Sequence, residues 1–208
     1  MIVLALALFA AIAVRVTRDQ APWLDTHILE LVPPADQHNA LSRFCNAFVV
    51  AGIAFVIIVV SATAIALVVR GRWRPALFWC LTFAGLLALD VALKPLFERP
   101  SIHSPGEYSF PSGNAMASMA LFVGATALIR ALPRRLYAVG AVLVAAYGAA
   151  LVYLSWHYPS DVVAGWLLAV AWVGFLSLVI RPPAVFEARP LRITERRLTA
   201  RNAPNQLG

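Results

Sequence analysis

Charge is what this sequence has least of. Only 13% of its 208 residues are charged and 61% are hydrophobic, where a soluble domain carries about 25% charged and about 45–50% apolar residues. That deficit excludes an ordinary soluble fold. It leaves an integral membrane protein with one helical domain and no room for a second. Acidic residues are especially few, 10 against 17 Lys and Arg. The resulting net charge of +7 would suit a nucleic-acid partner, but no basic run interleaves with aromatics, and the Arg residues sit between apolar segments and in the C-terminal tail. No nucleic acid is therefore expected. Cysteine is limited to Cys45 and Cys80, both inside apolar stretches. They read as small buried residues rather than a disulfide or a metal pair. No internal repeat is present, and the paired broken helices or mid-span charges of a transporter are missing.

What remains is a series of apolar runs. The first covers 2–14 and is shorter than the roughly 20 residues a span usually needs. Without a basic stretch before it or a small-residue cleavage site after it, it reads as a first span, tilted or extended past Arg15, rather than a signal peptide. Residues 17–44 are mixed. Trp23, Leu24, Ile28, Leu29 and Leu31 alternate with Asp25, His27 and Glu30 before Pro33-Pro34. This pattern suits a short amphipathic helix on the membrane surface or a plain connecting loop. Further runs cover 48–69, 75–93, 112–129, 136–156 and 162–180. The expected fold is an all-α polytopic membrane bundle of six transmembrane helices with one interfacial helix. It occupies residues 1–182 and is followed by a polar, Arg-rich mobile tail over 183–208.

Six spans place both termini on one side. If that side is cytoplasmic, it carries Arg70, Arg72, Arg74, Arg130, Arg134, Arg135, Arg181 and the five tail Arg residues. The other side keeps Arg15, Arg18, Arg43, Lys94 and Arg99. Basic residues favour the cytoplasmic side, so both termini are expected inside, in a bacterial inner membrane.

Three polar stretches then fall together at the outer face: Lys94 to Pro100, Phe110 to Asn114 and His157 to Asp161. The four-residue spacing of His157 and Asp161, with Pro159 and Ser160 suited to a helix start, lets the carboxylate reach back to the imidazole. Such a carboxylate fixes the tautomer and leaves the other nitrogen free to attack. A capping Asp beside an interfacial His has the same spacing. Pro111-Ser112-Gly113-Asn114 opens an apolar helix with Ser112 as its cap, and that end is an anion site or a plain N-cap. Lys94 follows Asp90 by four residues, so it is either a phosphate ligand or a snorkelling partner of Asp90. Arg99 offers a planar fork to phosphate oxygens.

The order and setting of these stretches resemble the type 2 phosphatidic acid phosphatase family of membrane enzymes, which shares its site with the vanadium haloperoxidases. The resemblance covers roughly residues 20–180. Lys94, Pro111, Ser112, Gly113, His157 and Asp161 match the family's motifs. Three positions depart from them. The Arg-Pro that follows Lys after six residues is Ser101-Ile102 here, with Arg99-Pro100 two residues early. The His that ends the second motif and protonates the leaving group is Asn114. The Ser-Arg opening the third motif is Ala150-Leu151.

The resemblance implies a lipid phosphatase or phosphotransferase working on a lipid-linked phosphate or diphosphate at the outer face. His157 would form a phosphohistidine and Asp161 would orient it. Lys94, Arg99, Ser112, Gly113 and Asn114 would hold the phosphate. His103, in the same outer loop, is either a replacement acid or a solvated loop residue. No metal or other cofactor is implied. A relative that binds lipid phosphate or a partner protein without turnover is the alternative.

Overall fold

The computed structural model describes residues 1–187 apart from 34, 37 and 131. Seven helices follow one another: α1 (Ile2–Arg18), α2 (Trp23–Leu31), α3 (Ala40–Val69), α4 (Trp73–Phe97), α5 (Gly113–Leu128), α6 (Arg134–Tyr153) and α7 (Pro159–Ile180). Two strands of two residues each, β1 (Ile129–Arg130) and β2 (Phe186–Glu187), pair in parallel. They do not change the helical class.

Four helices, α3, α4, α6 and α7, are long and apolar enough to cross a membrane. The other two apolar helices, α1 with 17 residues and α5 with 16, reach about 24–26 Å at 1.5 Å per residue. The hydrocarbon core is about 30 Å thick, so length alone supports four of the six expected spans. The shortness of α5 has a local cause. Ser112 starts the helix from a fully buried position, and its Oγ accepts the amide of Ala115 at 3.3 Å. The helix thus begins inside the bundle rather than at its rim.

α7 is the centre of the packing and lies against α1, α4 and α5. Its contact with α5 is closest at Gly165, where an added Cβ would come within 2.6 Å of the Ser112 carbonyl oxygen. The Ser112 amide in turn donates to the Asp161 carbonyl at 3.1 Å. The absence of a side chain at 165 therefore lets two helix starts meet. α3 lies at the periphery. Of its 30 residues only Ser42, Val49 and Leu67 are buried, and Phe55, Ile57, Ile58 and Ile65 are exposed. In lipid such a face needs no protein cover, and its apolar side chains mark this as an integral membrane protein.

Several boundaries differ from expectation. α3 begins eight residues before the apolar run, because Asn39 caps it through the Leu41 amide at 2.9 Å. Its first turns carry Ser42, Arg43 and Asn46, which no hydropathy pattern would join to a span. α1 does extend past Arg15, and α2 occupies the predicted amphipathic stretch. The segment from 183 onward starts docked rather than free. The Val185 amide donates to Leu128 at 2.8 Å, and Phe186–Glu187 pair with β1. The remainder of the expected tail, 188–208, lies outside the described residues.

Candidate functional site

α4 ends, α5 begins, α6 ends and α7 begins around one pocket of about 290 Å³. Lys94, Gly113, Asn114 and His157 line it, and Asp90 joins them. Four residues expected from separate stretches of sequence therefore face one space. The turn between α6 and α7 presents His157. The chain folds back on Leu151, whose carbonyl accepts the amides of Trp156 at 3.0 Å and His157 at 3.4 Å. Pro159 then starts α7 with its fixed φ. Asp161, in the first turn, accepts the Tyr158 amide at 3.1 Å and brings Oδ2 to 3.5 Å from His157 Nδ1. Nδ1 is the ring nitrogen that approaches the carboxylate, but at this distance it forms no hydrogen bond.

The far wall is the start of α5. Free amides at a helix N-terminus carry positive partial charge and accommodate anions. Lys94 is the only cation among the described residues lining the pocket. It pairs with Asp90 Oδ2 at 3.2 Å and is 31% exposed at the side chain, so it is free to reach an incoming anion. Gly113 lies against Asp90, and a Cβ there would come within 2.7 Å of Asp90 Oδ1.

Arg99 corrects an expectation. It is fully buried, does not line the pocket, and has its donors committed elsewhere. One terminal nitrogen binds Asp25 at 2.6 Å. The other binds Asp161 Oδ1 at 2.5 Å and Ser160 Oγ at 2.7 Å, and Nε donates to the Gln20 carbonyl at 2.8 Å. The guanidinium also lies 3.7 Å over the Tyr158 ring. Burial raises the Tyr158 phenol above its ordinary value, so the ring meets Arg99 as a neutral π-face. The cause of this placement is the end of α4. Glu98 adopts a left-handed conformation (φ 49°) and turns the chain away, so Lys94 and Arg99 face different regions. Arg99 supports the carboxylate that faces His157, and a phosphate in the pocket would not meet it.

Of the two readings of His103, replacement acid or solvated loop residue, its exposed position away from this pocket fits the second. It is exposed, packs at a tilt against Trp156 with 5.1 Å between centroids, and lines a separate pocket with Ser42, Arg43 and Asn46. The resemblance puts Ser-Arg at 150–151, but here both residues are buried apolar side chains packed with Val49, Ala115 and Val162. No basic group reaches the pocket from that position.

Two residues that matter here were missed by reading the sequence. Asp25, on α2, is 1% exposed and accepts the Ser160 amide at 2.8 Å and the Ser160 hydroxyl at 2.5 Å, besides Arg99. Asp90 was read only as the partner of Lys94. An Asp in the polar part of α2's pattern resembles any solvated residue, and nothing local marks it as buried.

Comparisons with known proteins place the chain in a family and a fold. A sequence model of the PAP2 superfamily matches residues 47–183, which is more than half of the chain. A protein named undecaprenyl-diphosphatase from Sulfolobus acidocaldarius is 37% identical over 76 residues, covering 36% of this chain and 35% of that relative. The match thus spans about a third of the relative's length. The crystal structure of a transmembrane PAP2-type phosphatidylglycerolphosphate phosphatase from Bacillus subtilis superposes with a TM-score of 0.69 at 21% identity, covering 89% of this chain and 98% of that one. This likeness establishes a shared fold. On the extent of the sequence match, this chain belongs to the PAP2 superfamily.

Proposed function

We propose that the protein is a membrane lipid phosphatase or phosphotransferase that takes a lipid-linked phosphate or diphosphate through a phosphohistidine on His157. The observation that carries this reading is the meeting of His157, 3.5 Å from buried Asp161, with Lys94 and the start of α5 around one pocket. Nε2 of the neutral imidazole attacks phosphorus in line. Asp161 stabilises the positive charge that develops on the ring. Lys94 leaves Asp90 to meet the phosphoryl oxygens, and the amides of the first α5 turn hold the others. Phosphoryl transfer needs mainly positioning and charge stabilisation of this kind. Both named relatives are phosphatases of phosphorylated lipids or lipid diphosphates by their names, which supports the substrate class.

A six-span arrangement in a bacterial inner membrane, with both termini inside, suits this site. It brings the pocket to the outer face, where a lipid headgroup can enter without crossing the bilayer.

The test is release of phosphate by the purified, detergent-solubilised protein from a panel of lipid phosphomonoesters and diphosphates, with His157→Ala beside it. Wild-type turnover with an acid-labile phosphoprotein intermediate is expected, and His157→Ala should lose both. A second reading has its own support. Asn114 cannot give up a proton, and the position expected to hold an Arg is buried Leu151. A protein that binds lipid phosphate without turnover has the same pocket. Binding that is retained, with no phosphate release from any substrate, would select it.

A further inference from the structure

Behind Asp161 lies a second buried acid that the scheme above leaves without a task. α2 is exposed along Trp23, Leu24 and Leu31, and Asp25 is its one buried residue. Turning a carboxylate inward from a surface helix costs solvation. Stability does not account for it, because replacing a buried ion-pair network by apolar side chains is often neutral or stabilising. Its partners point elsewhere. Oδ1 accepts the Ser160 amide at 2.8 Å, one of the amides that the first turn of a helix leaves without an intrahelical acceptor. Oδ2 accepts Arg99 at 2.6 Å and the Ser160 hydroxyl at 2.5 Å.

The consequence falls on Arg99. A guanidinium facing a carboxylate commonly takes both of its oxygens. Here the fork is divided. One terminal nitrogen goes to Asp25, and the other meets only Oδ1 of Asp161. Oδ2 of Asp161 is left to the Tyr158 amide and to His157, whose buried Nδ1 lies 3.5 Å away with no hydrogen-bond partner among the described residues. Catalytic contacts that are long in a free enzyme commonly tighten once substrate is bound. We propose that Asp25 is a positioning residue for the reaction: by holding one arm of Arg99 and the first turn of α7, it keeps Oδ2 of Asp161 open to Nδ1 of His157. The proposal rests on the phosphohistidine reading. Without Asp25 the released arm of Arg99 turns to Oδ2, and the imidazole loses its carboxylate as Nε2 attacks phosphorus.

Asp25→Asn keeps the size of the side chain and weakens its hold on Arg99. Purified wild type, Asp25→Asn and Asp25→Asn/Arg99→Gln are compared on a panel of lipid phosphates, with His157→Ala as the control for the chemistry itself. A misplacement of about 1 Å in a reacting group costs about 10²-fold, and Asp25→Asn is expected to lose about that much in kcat. KM should stay near wild type, because neither Asp25 nor Arg99 lines the pocket. The double variant gives the readout that a merely structural role would not move. It removes the arm that competes for Oδ2, so it should turn over faster than Asp25→Asn although it lacks one more native contact. Wild-type kcat in Asp25→Asn would overturn the proposal. So would a loss that the double variant does not relieve, or a rise in KM that accounts for the loss. If Asp25→Asn does not fold, Ser160→Ala decides. It removes the hydroxyl that bridges Asp25 and Arg99 and leaves all three charges in place. A lower kcat at unchanged KM then supports the proposal, and an unchanged kcat overturns it. Wild-type protein that releases phosphate from none of the substrates overturns the phosphatase reading and the Asp25 role with it. Turnover that His157→Ala abolishes and Asp25→Asn leaves intact overturns the Asp25 role alone.

Discussion

Two carboxylates lie near His157, Asp161 at 3.5 Å and Asp90 in the same pocket lining, and the protein treats them oppositely. Asp161 is fully buried and held by Arg99 and by the Tyr158 amide, with Asp25 and Ser160 completing the arrangement. Asp90 is half-buried, tied to one flexible Lys and left with one oxygen unpaired. A satisfied network of charges fixes geometry, because every member loses its partners if it moves. An incomplete one can change partner. The buried side of His157 is the first kind, and the pocket side is the second.

Breaking the fixed side should have the largest effect. Arg99→Ala leaves Asp25 and Asp161 buried without their shared cation. Removal of one member of a buried ion pair costs about 3–5 kcal/mol. Thermal unfolding in detergent should therefore fall well below wild type, and activity should go with it, whatever the leaving group. Arg99→Lys should recover little, since an ammonium cannot reproduce the fork that reaches Asp25, Asp161 and Ser160 together. An Arg99→Ala protein with wild-type stability would mean that Asp161 is held by its backbone contacts alone.

The next effect belongs to the joint between the two sides. Gly165→Ala directs a methyl group at the Ser112 carbonyl oxygen, 2.6 Å away, and backbone cannot rotate aside. Overpacking of this kind costs about 1–3 kcal/mol. It also moves the start of α5 from α7, so the amides of its first turn shift away from His157. Both unfolding temperature and kcat are expected to fall, and the loss should be similar for alkyl and aryl phosphates.

The difference between the two sides also explains what could be read from the sequence. The residues lining the pocket, Lys94, Gly113, Asn114 and His157, each sit at the end of an apolar run, so hydropathy located them and motif spacing grouped them. The Asp161 contact with His157 was legible because it lies within one turn. The network behind it was not. Asp25 and Arg99 are 74 positions apart, and Arg99 and Asp161 are 62 apart, so no periodicity connects them. Arg99 was misread because its type and its distance from Lys94 suggest phosphate binding, while the left-handed Glu98 that turns it inward has no reliable sequence signature. The start of α3 was misplaced for a similar reason, since its polar first turns are helical without being apolar.

The smallest expected change in stability comes from Gly113→Ala, and it separates the two sides most cleanly. Here the methyl group meets Asp90 Oδ1 at 2.7 Å, the end of a side chain held only by Lys94. That side chain can rotate away. Ala is also the better helix former by about 1 kcal/mol in a helix interior, which offsets part of the displacement. Unfolding temperature should therefore stay close to wild type, unlike that of Gly165→Ala, although the two substitutions add the same atom. What should change is the position of Asp90. Turnover of a lipid phosphate should fall, because Asp90 carries its partner Lys94 with it. If Gly113→Ala instead leaves turnover at the wild-type level, the flexible side of the site extends no further than Lys94.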